Sequence, residues 1–132
     1  HHCGWYPDRK LRLMDSQKGK WGGMNPHDKY ELFEGEEATG VLKGDILHYS
    51  YNTLEDHYKQ VDYFTNISSK SLFKDGKSVS FLTVYLALPI KFIRDFIIKL
   101  GFLDGKAGFT ISRISAYATY LKYKKLQILW KG

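Results

Sequence analysis

A chain of 132 residues with 43% hydrophobic and 16% aromatic side chains carries enough apolar surface to fold, which excludes general disorder. Its length fits one domain but is short for a domain that must also hold a nucleotide or a large substrate. The single cysteine, Cys3, forms no internal disulfide, so the fold does not depend on an oxidising compartment. We expect a cytosolic or cytosol-facing piece of a longer protein, since no initiator Met precedes His1.

The positive charge lies in the second half of the chain. Residues 1–76 hold 10 Lys and Arg against 12 Asp and Glu, a net of −2, whereas residues 77–132 hold 10 against 2, a net of +8. A basic half rich in apolar side chains is typical of proteins that contact an anionic membrane surface or nucleic acid. Nucleic acid is disfavoured, because these cations alternate with aliphatic side chains that need burial.

The N-terminal part of the chain predicts three or four short antiparallel strands. Charged and apolar side chains alternate over Lys10–Met14 and again over Lys29–Glu34, which is the period of a half-buried strand. Asp15–Gly23 predicts a turn between them, and Glu34–Glu37 predicts a second turn. A further short strand is predicted over Ala38–Leu42.

A first helix is predicted after Tyr51. Asn52 or Thr53 caps it, because an acidic residue follows each of them at capping-box spacing. Asp75-Gly76 ends the helix after roughly 20 residues. The apolar side chains expected on its buried face are Leu54, Tyr58, Val61, Phe64 (with Thr65), Ile67 and Leu72.

Residues 78–100 are apolar on nearly every side, and Pro89 is expected to kink or divide a helix there. The charge-free stretch ends at Ile90 and is too short for a bilayer crossing, which needs about 20 residues. Lys91, Arg94 and Lys99 interrupt the rest. Two interpretations stay open: a helix in a membrane interface, with its cations reaching headgroups, or a core helix of a helical subdomain.

A tight connection at Gly101–Gly105 leads into a last predicted helix over residues 106–129. Lys122, Lys124 and Lys125 lie near its end, where cations complement the helix dipole and would equally face anionic headgroups. The sequence as a whole predicts an α+β fragment, in which short antiparallel strands precede about three amphipathic or apolar helices.

Two residue pairs, His27-Asp28 and His48-Tyr49, come near one another if the chain between them forms a hairpin. An aspartate beside a histidine acts as a general base where it reaches a substrate hydroxyl, so Asp28 is the candidate base and His27 its neighbour. His48 is a candidate ligand of a divalent metal. A purely structural role stays open for each of them. Asp28 would then begin a strand, His27 would bond to a backbone group, and His48 would pack within a strand.

Several motifs, in order along the chain, carry a resemblance to a known family. They are Cys3–Leu13, Trp21–Gly23, Asn25–Asp28, Leu42–Tyr51, Gly101–Gly105 and Gly108-Phe109. From about Cys3 to Leu129, the chain resembles the C-terminal part of family 2 glycosyltransferases, and among them the bacterial lipopolysaccharide core glucosyltransferase-like branch.

The resemblance implies a GT-A fold enzyme at the cytoplasmic face of the inner membrane. Such an enzyme moves a sugar from a nucleotide sugar to a hydroxyl of a growing glycolipid, with inversion. By position, Asp28 matches the acidic residue of the family's His-acid motif, which acts as the base. His48 matches the histidine that completes a Mg or Mn site. Trp5, Asp8 and Arg9 match positions that line the acceptor or donor side.

The resemblance also divides the chain into residues 1–51, the edge of a GT-A-like α/β domain, and residues 52–132, a basic helical region that meets the membrane. The chain contains neither Asp-x-Asp nor a Gly-rich phosphate loop after a strand. We therefore expect it to be inactive and free of cofactor when alone, and to self-associate through uncovered apolar faces. The rival interpretation is a non-enzymatic membrane-surface or protein-interaction module.

Overall fold

The computed structural model describes residues 9, 11–23, 29–35, 39–44 and 53–132. In this part of the chain, a two-stranded antiparallel sheet comes first and three helices follow. The arrangement confirms the predicted α+β fragment. The assignment of the strands to the edge of a GT-A-like domain stays a prediction.

The sheet pairs strand β1, Gly19–Gly22, with strand β2, Lys29–Leu32. Strand β2 confirms the prediction from alternating side chains. Strand β1 lies where the sequence predicts a turn, so that prediction is wrong. Gly19 lets the two strands approach each other closely, because a Cβ at this position would lie 2.5 Å from the backbone oxygen of Glu31 on the facing strand.

Two further predicted strands are absent from the described part of the chain. Residues 11–14 and residues 39–42 are irregular, which corrects the predictions made from their alternating or apolar pattern. Alternation shows which side chains share a face, but a strand also needs a neighbour that accepts and donates its backbone hydrogen bonds. Residues 45–51, which include the His48-Tyr49 pair, lie outside the described part of the chain.

Helix α1 spans Leu54–Lys74 and confirms the predicted first helix. The Thr53 side chain accepts a hydrogen bond from the backbone N–H of Asp56 at 3.1 Å, as the capping spacing predicts. Asp75 ends the helix, and Gly76 adopts a φ of +70°, which turns the chain away at little cost for glycine.

The buried face of α1 differs from the predicted one. Val61 and Thr65 are buried as predicted, whereas Leu54, Tyr58 and Phe64 are exposed. The buried stripe repeats every four residues and consists of His57, Val61, Thr65 and Ser69. The hydroxyls of Thr65 and Ser69 donate to carbonyls three residues earlier, so these polar groups are buried with their hydrogen bonds made.

Helix α2 spans Phe81–Ile93, and Pro89 lies inside it without dividing it. The helix instead changes at Arg94–Ile98 into a π-helical turn, in which the N–H of Lys99 donates to the carbonyl of Arg94 at 2.9 Å. Val84 is the one side chain of α2 that is fully buried within the described structure. The interfacial and the core-helix interpretation of this segment both stay predictions.

Helix α3 spans Gly105–Leu129, confirms the last predicted helix and packs against both α1 and α2. A short 3₁₀ turn, Gly101–Asp104, precedes it. A Cβ at Gly108 would overlap the carbonyl oxygen of Gly101, so α3 begins in direct backbone contact with this turn. The predicted tight connection before α3 is explained by Gly101 and Gly108, because the absence of a side chain at Gly108 lets its backbone contact that of Gly101.

The core shared by the three helices is small. Within the described residues, the buried apolar side chains are Val61, Val84, Ile114, Ala116 and Leu126. Four phenylalanines, Phe92, Phe96, Phe102 and Phe109, add a ring cluster with centroid separations of 5.3 to 6.4 Å. This cluster joins the end of α2 and the π-helical turn to the start of α3.

Candidate functional site

The residues predicted to carry sugar transfer fall mainly outside the part of the chain that the structure describes. They are Trp5, Asp8, His27, Asp28 and His48. Arg9 is described and is exposed to solvent. Among the described residues, no three His, Cys, Asp or Glu side chains lie close enough together to hold a metal ion. The roles of base, metal ligand and acceptor contact therefore stay predictions.

A groove, here called the α2–α3 groove, lies between α2 and α3. It has a volume of about 610 Å³. Apolar side chains of α2 line it together with cations and polar groups from both sides. Its lining consists of Leu82, Thr83, Leu86, Ala87, Ile90, Lys91, Arg94, Thr119, Lys122 and Tyr123.

A buried carboxylate organises the cations at one end of this groove. Asp95 is only 1% exposed, and its Oδ2 lies 2.7 Å from the Nζ of Lys91. Its Oδ1 lies 3.5 Å from the Nε of Arg94 and 3.8 Å from the Nζ of Lys99. One negative charge thus faces three positive charges, so this end of α2 keeps a net positive charge.

Lys122 adds a further cation from α3. Its Nζ lies 4.5 Å from the centre of the Tyr123 ring, and both residues line the groove. Lys122 forms no ion pair with any carboxylate in the described structure. The groove is therefore lined by three cations, and the carboxylate of Asp95 lies beside two of them.

The other two lysines of the predicted membrane-facing cluster differ from Lys122. The Nζ of Lys125 lies 2.7 Å from Oδ1 of Asp62 and 2.9 Å from Oγ1 of Thr65, so this side chain ties α3 to α1. The hydrogen bond and the charge of Lys125 lower the pKa of Asp62. The Nζ of Lys124 lies 6.0 Å from the Tyr85 ring. A contact of these lysines with a membrane stays a prediction.

A second, smaller cavity of about 290 Å³ lies between α1 and α3. His57 is buried on its wall, and burial lowers the pKa of its imidazole. The side-chain oxygen of Gln60 is buried there without a hydrogen-bond partner in the described structure. These polar residues of α1 were not predicted as buried, because a period-based prediction places apolar side chains on the inner face.

Asp95 was also missed by the sequence analysis, although a signal for it exists. Lys91 and Lys99 lie four residues before and after it, which is the spacing at which helical side chains meet. An acid flanked by two cations at this spacing within an otherwise apolar run predicts a local ion cluster.

Comparison with known proteins connects the chain to an enzyme class. It is 29% identical over 106 residues to a protein of Rickettsia prowazekii named an uncharacterized glycosyltransferase. The matched region covers 78% of this chain and 36% of that protein. A protein of Rickettsia typhi with the same description is 30% identical over 89 residues, or 67% of this chain and 30% of that protein. The chain is similar to bacterial glycosyltransferases.

A third similar protein, from Rickettsia conorii, is also named an uncharacterized glycosyltransferase and is 31% identical over 87 residues, 66% of this chain and 31% of that protein. The chain thus spans about a third of the length of the curated relatives it matches. No family model matches the chain, and no solved structure matches it. None of the described helices combines the length and the apolar character that a membrane crossing requires.

Proposed function

We propose that this chain is part of a glycosyltransferase that transfers a sugar from a nucleotide sugar to a glycolipid or lipopolysaccharide-type acceptor, with inversion. The observation that carries the proposal is its similarity over 106 residues to a protein named a glycosyltransferase. In this reaction Asp28 removes the proton of the acceptor hydroxyl, and His27 lies beside it. His48 would be among the ligands of a Mg or Mn ion, which would stabilise the charge of the diphosphate leaving group when bound.

The proposed place of work is the cytoplasmic face of the inner membrane. The apolar side chains of α2 and the turn after it support this, since Phe81, Leu82, Ile90 and Ile98 are 63%, 65%, 59% and 70% exposed. Exposed aromatic and aliphatic side chains beside lysine and arginine are typical of helices that lie in a membrane interface. Sugar transfer to a lipid-linked acceptor requires the enzyme to work at such a surface.

The same exposed side chains favour a second candidate function, that of a non-enzymatic protein-interaction module. In that case a second protein, or another segment of the same protein, covers α2. Contiguous apolar surface of this kind marks protein contacts as well as membrane contacts. Sugar transfer by the longer protein separates the two candidates, because an interaction module transfers no sugar.

The decisive experiment measures sugar transfer by the longer protein that contains this chain, with a panel of nucleotide sugars and with or without a divalent cation. We expect cation-dependent transfer that is lost in Asp28→Asn while nucleotide-sugar binding is retained, because a base acts on the acceptor. Glu34→Gln, an acid-to-amide change at an exposed turn, is the matched control. Full transfer by Asp28→Asn would remove this residue from the mechanism, and no transfer with any donor would refute the enzyme.

A further inference from the structure

The cavity between α1 and α3, here called the α1–α3 cavity, is lined mainly by polar groups. Its polar lining includes His57, Gln60, Ser68, Ser115, Thr119 and Lys122. None of the described residues that line it is acidic. Its volume of about 290 Å³ corresponds to about ten water molecules, since each takes about 30 Å³ in the liquid. The cavity is therefore suited to a small ligand with several hydrogen-bonding groups.

Two ring contacts show how α1 and α3 lie relative to each other. The rings of Tyr58 and Tyr117 have a centroid separation of 6.1 Å. Farther along both helices, the rings of Phe73 and Trp130 are 4.8 Å apart. The two helices therefore run parallel and nearly in step, so their contributions to the cavity can be matched level by level.

At this register, Gln60 lies level with Thr119, and Phe64 lies level with Lys122. The Oε1 of Gln60 is buried and has no hydrogen-bond partner in the described structure. The Thr119 hydroxyl donates to the backbone carbonyl of Ser115 at 3.0 Å, so its oxygen can still accept a hydrogen bond. This level of the cavity thus offers acceptor oxygens from both helices.

These groups define the chemistry of a fitting ligand. Gln60 Oε1 needs a hydrogen-bond donor, whereas the ammonium of Lys122 has no carboxylate partner in the described part of the chain and needs an acceptor. A hydroxyl group does both. An ionised carboxylate only accepts, and an ammonium ligand would be repelled by Lys122. The cavity therefore favours a neutral ligand that carries hydroxyl groups.

We propose that the α1–α3 cavity binds one neutral sugar unit, with a sugar hydroxyl donating to Oε1 of Gln60 and the C–H groups of the ring against Phe64. Phe64 lines the cavity and is 38% exposed, so its ring offers the apolar surface that one side of a sugar presents. The choice of a sugar among neutral hydroxyl-bearing ligands rests on the proposed function, whereas the hydrogen-bonding pattern comes from the cavity alone.

The test titrates the isotope-labelled chain of 132 residues with a panel of methyl glycosides and follows the amide chemical shifts. We expect saturable shifts around Gln60 on α1 and Thr119 on α3 with at least one glycoside. Glycerol, which carries hydroxyl groups without a ring, should give no saturable shifts. A nucleotide sugar with the same sugar is titrated in parallel. Tighter binding of the nucleotide sugar identifies the donor as the source of the sugar unit, and equal or weaker binding identifies the acceptor.

Gln60→Leu should change sugar binding and stability in opposite directions. Loss of the hydrogen bond should weaken binding about tenfold. Removal of a buried acceptor that lacks a donor should raise the urea midpoint of the sugar-free chain. Gln127→Leu makes the same exchange at a position of α3 that does not line the cavity, and it should leave sugar binding unchanged.

A second variant tests the cavity by filling it. Ala118 lines the cavity, so the larger side chain of Ala118→Leu should occupy the space of the ligand and abolish the saturable shifts. Ala107→Leu adds the same side chain at an exposed position of α3 outside the cavity and should keep them. Far-UV circular dichroism confirms that each variant is folded.

Three outcomes would overturn the proposal. The first is the absence of saturable shifts with every glycoside and nucleotide sugar, as expected of a cavity that holds only water. The second is unchanged sugar binding in folded Gln60→Leu and Ala118→Leu. The third is an equal loss of binding in these variants and their controls. None of these outcomes refutes sugar transfer by the longer protein, which has its own assay. Conversely, sugar binding by this chain without any transfer by the longer protein would refute the proposed function and keep the site.

Discussion

Replacing Asp95 by Asn should change stability and membrane binding in opposite directions. The carboxylate is 1% exposed and is surrounded by Lys91, Arg94 and Lys99 at 2.7 to 3.8 Å. Removing its charge leaves three neighbouring cations that repel one another. Breaking a fully buried ion pair costs about 3–5 kcal/mol, and the partial exposure of these cations reduces the expected loss to about 1–3 kcal/mol.

The same change removes one negative charge beside Lys91 and Arg94, which line the α2–α3 groove. Each cation near an anionic membrane surface contributes about 1 kcal/mol, so binding to phosphatidylglycerol vesicles should become about fivefold tighter. Added salt should reduce this gain, because screening weakens the attraction.

Urea unfolding followed by far-UV circular dichroism measures the first effect, and vesicle co-sedimentation at low and high salt measures the second. Glu34→Gln makes the same change in net charge at an exposed turn and should alter stability by less than about 0.5 kcal/mol. An Asp95→Asn variant as stable as the parent chain would refute the role assigned to the carboxylate. Tighter binding of equal size in Glu34→Gln would refute its connection to the groove.

Three further predictions concern helix packing. Gly108→Ala should destabilise the chain by about 1–3 kcal/mol in urea unfolding, because its methyl group overlaps the carbonyl of Gly101. Gly40→Ala, at a position with open space around it, should cost little, and an equal loss there would contradict the packing argument. Lys125→Glu should lower the melting temperature measured by circular dichroism, whereas Lys124→Glu should not, since only Lys125 bonds to Asp62; equal melting temperatures would contradict the contact. Burial lowers the pKa of His57, so its stabilisation should be complete above its unfolded value of 6.5 and be lost as pH falls below it. Urea midpoints at about pH 7.5 and about pH 5.5 should therefore differ less in His57→Gln than in the parent, and an unchanged pH dependence would exclude His57 as its source.

The helices could be predicted from the sequence because their ends carry local chemistry. The Thr53 hydroxyl and the Asp75-Gly76 step define α1 without reference to any other part of the chain. The strands could not be predicted equally well. Whether residues 19–22 or residues 11–14 pair with β2 depends on which segment lets the backbone approach, and that is a tertiary property.

The candidate groove illustrates a similar limit. Lys122 was singled out from the sequence, but the cluster of three terminal lysines predicted a common role for side chains that point to different neighbours. Lys125 bonds to Asp62 on α1, whereas Lys122 lines both the α2–α3 groove and the cavity between α1 and α3 without an ion pair in the described structure. The partners of a lysine depend on which helices flank it, and neither spacing nor composition contains that information.

The position of α3 between its two neighbours has a consequence for the order of folding. The π-helical turn and the turn at Gly101–Asp104 are all that separate α2 from α3, so the contacts between these helices close a short loop. The Asp62–Lys125 contact joins residues 63 positions apart, which costs more chain entropy to close. We therefore expect α2 and α3 to pair early and α1 to dock last. In native-state hydrogen exchange, the amides of α1 should then open at a lower free energy than those of α3.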